Sequence, residues 1–133
     1  MKRAQIILYL VGRILLGLYF IVPGLMKVTG FAATAEYMAA NGMVFVPFFL
    51  VLTIVIQIGG GVSLAAGYRV PEVAFVLAGL VLVISLVMHD FWTLEDAVQK
   101  GHETQNFIKN MAIMAGLLVL AGARRQTDTT IRE

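Results

Sequence analysis

Two polar side chains interrupt long apolar runs: Arg13 in the first run and Gln57 in the second. A cation at the centre of a lipid-embedded helix costs about 2.5–3.5 kcal/mol on insertion scales, and more when it faces lipid alone. Arg13 is therefore expected to face other helices, with Gln57 as its partner. Such a pair could hold an anionic or quinone-like oxygen in a polar pocket. It could equally be an interhelical hydrogen bond that fixes packing. A second group, Lys27, His89, Asp90, Trp92, Lys109 and Asn110, lies near the ends of apolar runs. His89 beside Asp90 is suited to moving protons. Lys109 and Asn110, with Asn106, are i, i+3, i+4 neighbours on one helical face. Turned inward together, these residues would form a cationic mouth. Lys27 and Trp92 taken alone read more simply as headgroup anchors.

Other chemistries are excluded or weak. There is no cysteine, so no disulfide, thiolate nucleophile or thiolate-held cluster is available. Gly59-Gly60-Gly61 is not a nucleotide loop, because no strand precedes it and no GKS/T pattern follows. His89, Asp90, His102 and Glu103 lack diagnostic ligand spacing, and no metal site is assigned. The net charge of +2 reads as membrane topology rather than nucleic-acid binding, because the basic residues cluster at the ends of apolar runs.

The elements that must position these residues are long and greasy. Hydrophobic residues make up 59% of the 133-residue chain and charged residues only 14%. A soluble domain this small could not hide that much apolar surface. Four runs approach the length of about 20 residues that a span needs, at about residues 4–27, 45–67, 72–90 and 105–123. The expected fold is all-α: a transmembrane four-helix bundle forming one domain over residues 1–133. Basic Lys2 and Arg3 ahead of the first run, with Ala33-Thr34-Ala35 behind it, resemble a cleaved leader, but the run is too long and Arg13 interrupts it, so a retained helix is favoured.

Between the first two runs, the AATAEYMAA segment predicts a short interfacial helix stopped by Asn41-Gly42. Gly67 predicts a helix C-cap and Pro71 the opening of the next helix. Some helix is expected around Leu94–Val98, and a polar, frayed tail over 124–133. Pro23 should kink or end the first helix. Arg13, Gly17, Phe20, Gly24 and Lys27 form one helical stripe. Gly59/Ser63/Gly67, Ala74/Ala78 and Ala112/Gly116 are small-residue ladders for close packing.

With four spans, Lys2, Arg3, Arg69, Arg124, Arg125 and Arg132 share one side, which predicts cytoplasmic termini. Arg13 then lies about 14 Å from Ala4, and Gln57 about 15 Å from Gly67, at about 1.5 Å per residue. On that reckoning both sit near the bilayer midplane.

The series RILLGLYFIVPGLMKVTGF, EYMAANG, GGGVSLAAG, HDFW and FIKNMAIMAGLLVLA resembles the DoxX family of small bacterial membrane proteins, in order and over nearly the whole chain. The resemblance implies four transmembrane helices in the inner membrane and a link to respiratory or oxidative-stress redox work. Arg13, Gly24, Lys27, Gly30 and Phe31 match the family's first-helix pattern, and Tyr37 and Met38 its short helix. His89, Asp90, Trp92, Lys109 and Asn110 match its later pattern. Many relatives carry glutamate where this chain has Gln57, so a proton-relay role at that position loses its carboxylate.

Three functions follow as expectations. The first is a quinone-associated or oxidative-stress-related redox subunit with a small polar site of Arg13, Lys27, Gln57, His89, Asp90, Trp92, Lys109 and Asn110. It would take quinone as a possible cofactor, or a small anion, and could work in a redox complex or homo-oligomer. The second is a non-catalytic adaptor that recruits a soluble redox enzyme. The third is a small transporter, ranked last because Arg13 would repel the cations that four-helix exporters carry.

Overall fold

Helix breakers and caps divide the chain where the apolar runs end. A computed structural model describes residues 2–132, with side chains for 2–123. Helix α1 spans Lys2–Thr29, α2 Phe31–Ala40, α3 Val46–Ala66, α4 Val70–Met88 and α5 Ala97–Arg132, with a 3-10 turn at Phe91–Thr93 between the last two. No strand occurs among the described residues. Among the described residues, four helices are long and apolar enough to cross a membrane.

The local stops act as their chemistry requires. Asn41 caps α2 with its backbone N–H on the carbonyls of Tyr37 and Met38, and Gly42, at φ 83°, donates its own N–H to Ala39 O. Gly67 closes α3 at φ 81° while its N–H donates to Leu64 O, an αL cap that favours glycine. Helices α3 and α4 open alike: Phe45 and Arg69 sit at φ 52° and 46°, and each is followed by Val-Pro. The αL conformation costs a non-glycine residue about 1–2 kcal/mol. Proline in the first turn has no N–H to leave unpaired there.

Several expectations need correction. Helix α1 continues through Pro23 to Thr29 rather than ending at the proline. Of the helix expected around Leu94–Val98, residues 94–96 are not helical and Ala97 and Val98 already belong to α5, while a 3-10 turn precedes the stretch at Phe91–Thr93. Helix α5 begins eight residues earlier than expected and runs on to Arg132, so the tail backbone is continuous with it. The tail's side chains lie outside the described residues.

Glycine sets the closest approach. Helices α1 and α3 run antiparallel, because Gly24 lies against Gln57 and Ile58 while Gly17 lies against Gly61 and Ala65. A Cβ on Gly17 would stand 2.6 Å from Gly61 O, and one on Gly61 would stand 2.6 Å from Gly17 O. The two backbones therefore touch directly, as small residues at membrane helix interfaces permit. The expected stripe of Gly17, Phe20 and Gly24 is buried. The ladder on α3 is Gly61 and Ala65, not Gly59, where a Cβ would meet nothing. Ala74 and Ala78 are buried, but Ala112 and Gly116 are exposed and face outward.

Helices α4 and α5 make the second close pair, and α3 meets α4 over a shorter stretch. The core joins both pairs: Phe20, Leu64, Ala74, Leu77, Val81 and Leu117 form one cluster. Polarity is inverted relative to a water-soluble domain. Phe75 and Val119 are 68% and 70% exposed, whereas Gln57 and Ser85 are 5% and 0% exposed. Such an exterior suits lipid, and packing inside it rests on dispersion and hydrogen bonds.

Candidate functional site

At the end where α2 lies, two recesses share a wall. The first is a cavity of about 410 Å³ between α2, α3 and α4, closed on one side by the last turn of α1. Ligand sites of about 300–1,000 Å³ are lined mostly by apolar groups with a few placed polar ones. Here the polar groups are Lys27, Thr34, Tyr37 and Thr53, and the remainder is Met, Leu, Ile, Val, Phe and Gly. The Thr34 hydroxyl donates to Gly30 O at 3.0 Å and the Thr53 hydroxyl to Phe49 O at 2.8 Å. With those protons committed, both oxygens can only accept from an occupant. The donor to an occupant is therefore the half-buried Lys27 ammonium, since the Tyr37 phenol proton is directed to Glu103 and leaves that oxygen as an acceptor too.

The second recess is a polar cleft of about 330 Å³, lined by Tyr37, Asn41, Asp90, His102 and Glu103 among others. Tyr37 and Met88 border both spaces. Tyr37 donates to Glu103 Oε1 at 3.5 Å, and Glu103 Oε2 meets His89 Nδ1 at 2.5 Å. The chain Tyr37–Glu103–His89 thus joins α2, the C-cap of α4 and the early part of α5. Burial pushes the Tyr37 phenol above its ordinary pKa of 10.0, and the nearby Glu103 charge adds to the rise. At neutral pH Tyr37 is a proton donor. His89 and Glu103 are 19% and 21% exposed at the side chain. A hydrogen bond to a charged group contributes about 1.5–3 kcal/mol, discounted here for water access.

The expected residues do not converge on one mouth. Lys27 lines the cavity, Asp90 lines the cleft, and His89 reaches the cleft through Glu103. Asp90 is not the partner of His89: its carboxylate accepts from Thr93 Oγ1 at 3.1 Å and steadies the 3-10 turn. Trp92 packs edge-on to Phe91 and Phe107 and is 52% exposed. Lys109 is exposed and Asn110 half-buried, and neither lines either recess. The inward polar positions of α5 are Glu103, Asn106 and Asn110, the same stripe moved one turn earlier.

The pairing of Arg13 with Gln57 is not formed. Arg13 Nη2 donates to Ala65 O at 3.5 Å, and its guanidinium lies against Gly67. Gln57 sits beside Gly24 instead, eight residues from Ala65, or about 12 Å along the helix. Its Oε1 is buried with no hydrogen-bond partner among the described residues. The sequence estimate had aligned Ala4 with Gly67; the glycine contact instead slides α3 so that Gly67 meets Arg13.

Sequence reasoning left Tyr37, Glu103, Thr34 and Thr53 out of the site. Glu103 could have been found by continuing the α5 polar stripe back one turn. The apolar cavity wall carries no sequence signal apart from the spans themselves.

Among known proteins, the DoxX family model matches residues 8–90. The chain is similar to Inner membrane protein YqjF of Escherichia coli strain K12, with 35% identity over 91% of this chain and 87% of that protein. It is also similar to Inner membrane protein YphA of the same strain, with 29% identity over 89% of this chain and 84% of that protein. No solved structure matches. With four apolar helices of spanning length and relatives that are inner-membrane proteins, the chain is an integral, multi-pass inner-membrane protein, and it belongs to the DoxX family.

Proposed function

We propose that this protein is a redox-associated membrane subunit that holds a quinone-like lipophile in the cavity beside α2. The observation that carries the reading is the cavity itself. Its wall is apolar over most of its area, and at one end Lys27 supplies a donor and the Tyr37 oxygen an acceptor. A ring carbonyl would accept from Lys27 while an isoprenoid-type chain lies along Met, Leu and Val side chains. A quinone so held would supply electron-accepting chemistry; this chain's own residues bind it, orient it and hold protons. Tyr37 holds its proton at the phenol oxygen, and Glu103 and His89 connect that oxygen toward the polar cleft.

The test uses the single tryptophan. Titrating purified protein with a short-chain ubiquinone analogue should quench Trp92 fluorescence saturably. Loss of the donor hydrogen bond in Lys27→Met should weaken binding by about fivefold to tenfold, and Tyr37→Phe, which removes only an acceptor, should weaken it less. A linear, non-saturating quench that both variants share would sink the reading.

One observation favours a second reading, a non-catalytic adaptor for a soluble redox enzyme. Helix α5 has 36 residues, about 54 Å at about 1.5 Å per residue, against a hydrocarbon core of about 30 Å. Its last turns therefore reach past the membrane. Truncation after Ala123 that abolished co-purification of a soluble enzyme, with quinone titration flat, would favour the adaptor. The excess of Lys and Arg at the end carrying both termini supports a cytoplasmic location for them; a reporter fused to the C-terminus should be active only in the cytoplasmic form.

A further inference from the structure

A cleft of about 690 Å³ opens at the opposite end of the molecule, between the first three turns of α1 and the end of α3. Its polar lining comes from one stripe of α1, Lys2, Gln5, Tyr9 and Arg13, at 3-4-4 spacing on a single face. Two of these side chains are cations, the other two can donate hydrogen bonds, and none is acidic.

Arg13 is held but not neutralised. One guanidinium nitrogen donates to Ala65 O at 3.5 Å, a long bond, and the guanidinium carbon stands 5.5 Å from the centre of the Tyr9 ring. Its Nε is buried and has no hydrogen-bond partner among the described residues. The ion pairs among the described residues are Arg69–Glu72 and His89–Glu103, so Arg13 pairs with no carboxylate among them. A guanidinium at a membrane edge with donor capacity left over is unusual, because intramembrane ions ordinarily pair. The rest of the cleft wall is apolar, with Ile6 58% exposed and Leu10 38% exposed on the flank.

We propose that this cleft binds the phosphate headgroup of an anionic phospholipid. The Arg13 guanidinium takes the phosphate oxygens, a planar fork suited to them. Gln5 and the Tyr9 hydroxyl donate to the remaining headgroup oxygens, and Lys2 adds charge at the water-facing end. The acyl chains lie along Ile6 and Leu10. Both features are needed: cations alone would serve a soluble phosphate, and the apolar flank selects the lipid. Basic pockets between membrane helices on the cytoplasmic side recognise anionic headgroups by this combination. The site is independent of the α2-end cavity and stands whether or not that cavity takes a quinone.

The test is lipid retention by native mass spectrometry of the full chain, with thermal unfolding in detergent as a second measure. Phosphatidylglycerol should be retained and raise the unfolding temperature, whereas phosphatidylcholine should do so weakly. Glycerol phosphate at the same concentration should do nothing. Arg13→Gln should weaken phosphatidylglycerol retention by about tenfold or more, the loss of a hydrogen bond to a charged group. If Arg13→Gln does not fold, the Lys2→Gln/Gln5→Ala double variant reports instead, with a smaller loss of selectivity. Equal retention of both lipids by the native chain overturns the proposal. An equal response to glycerol phosphate overturns the lipid assignment, and unchanged selectivity in every folded variant overturns the site.

Discussion

Replacing Gly17 with alanine adds one methyl group at the tightest point of the molecule. That methyl would stand 2.6 Å from Gly61 O and 3.1 Å from Ala65 Cβ. An ordinary contact begins at 3.4 Å, and neither partner is the far end of a flexible side chain. The shortfall of 0.8 Å must come from moving the α1 and α3 backbones apart. Overpacking of this kind costs about 1–3 kcal/mol. Gly61→Ala meets Gly17 O at 2.6 Å and Ile21 Cγ1 at 2.7 Å, and falls in the same range. The double variant should cost less than the two singles together, because the first methyl opens the gap that receives the second. Gly12→Ala and Gly59→Ala are the controls, since a Cβ there meets nothing within 4 Å. Better helix propensity should make these two neutral or stabilising by up to about 1 kcal/mol. Thermal and denaturant unfolding in mild detergent, followed by helical ellipticity, gives the comparison. Equal stability of Gly17→Ala and Gly12→Ala would refute the direct backbone contact between α1 and α3.

Gly67→Ala should destabilise by about 1–2 kcal/mol from its αL conformation, and the same unfolding assay should show it. Its Cβ would also stand 2.7 Å from Arg13 Nη1. Leu117, 0% exposed in the core, should cost about 2–5 kcal/mol as Leu117→Ala, against almost nothing for the outward-facing Val119→Ala. The Tyr37 phenol is raised above 10.0 by burial and then by Glu103. Above pH 10.0 the unfolded chain releases that proton first, so the contribution is complete below pH 10.0 and declines as pH rises through the raised value. Difference absorbance at alkaline pH should show Glu103→Gln moving the Tyr37 titration downward; no movement would remove Glu103 as a cause.

Chemistry confined to a few neighbouring residues was legible in the sequence. Asn41-Gly42, Gly67 and Pro71 act on their own backbone, so their positions alone located the ends of α2 and α3 and the start of α4. The four spans were legible for a similar reason, since solvent preference accumulates along each run. Relative height was not. Counting inward from run ends treats every helix as cut at the same plane, whereas α1 extends well past the α3–α4 turn. The register between helices was set by Gly17 and Gly61, so Arg13 met Ala65 and Gly67 rather than Gln57. The same limit explains Glu103. Its partner His89 follows α4 by one residue, but the turn at Phe91–Thr93 and the early start of α5 bring the two together, whereas a fourth span expected from about residue 105 left Glu103 just outside it.

The cavity beside α2 has its outer rim on Phe49, Leu52, Val76 and Val83, which are all exposed side chains on the lipid-facing sides of α3 and α4. Its doorway therefore opens sideways into the bilayer. An occupant arriving that way leaves acyl chains rather than water, so the hydrophobic effect has already acted before entry and favours the cavity little over its surroundings. Discrimination must come from shape and from hydrogen bonding at Lys27, which donates, and at the Tyr37 oxygen, which accepts. Occupancy then follows the mole fraction of a compound dissolved in the membrane, and two compounds with the same headgroup but different tails should saturate the site at different aqueous doses and at the same membrane loading.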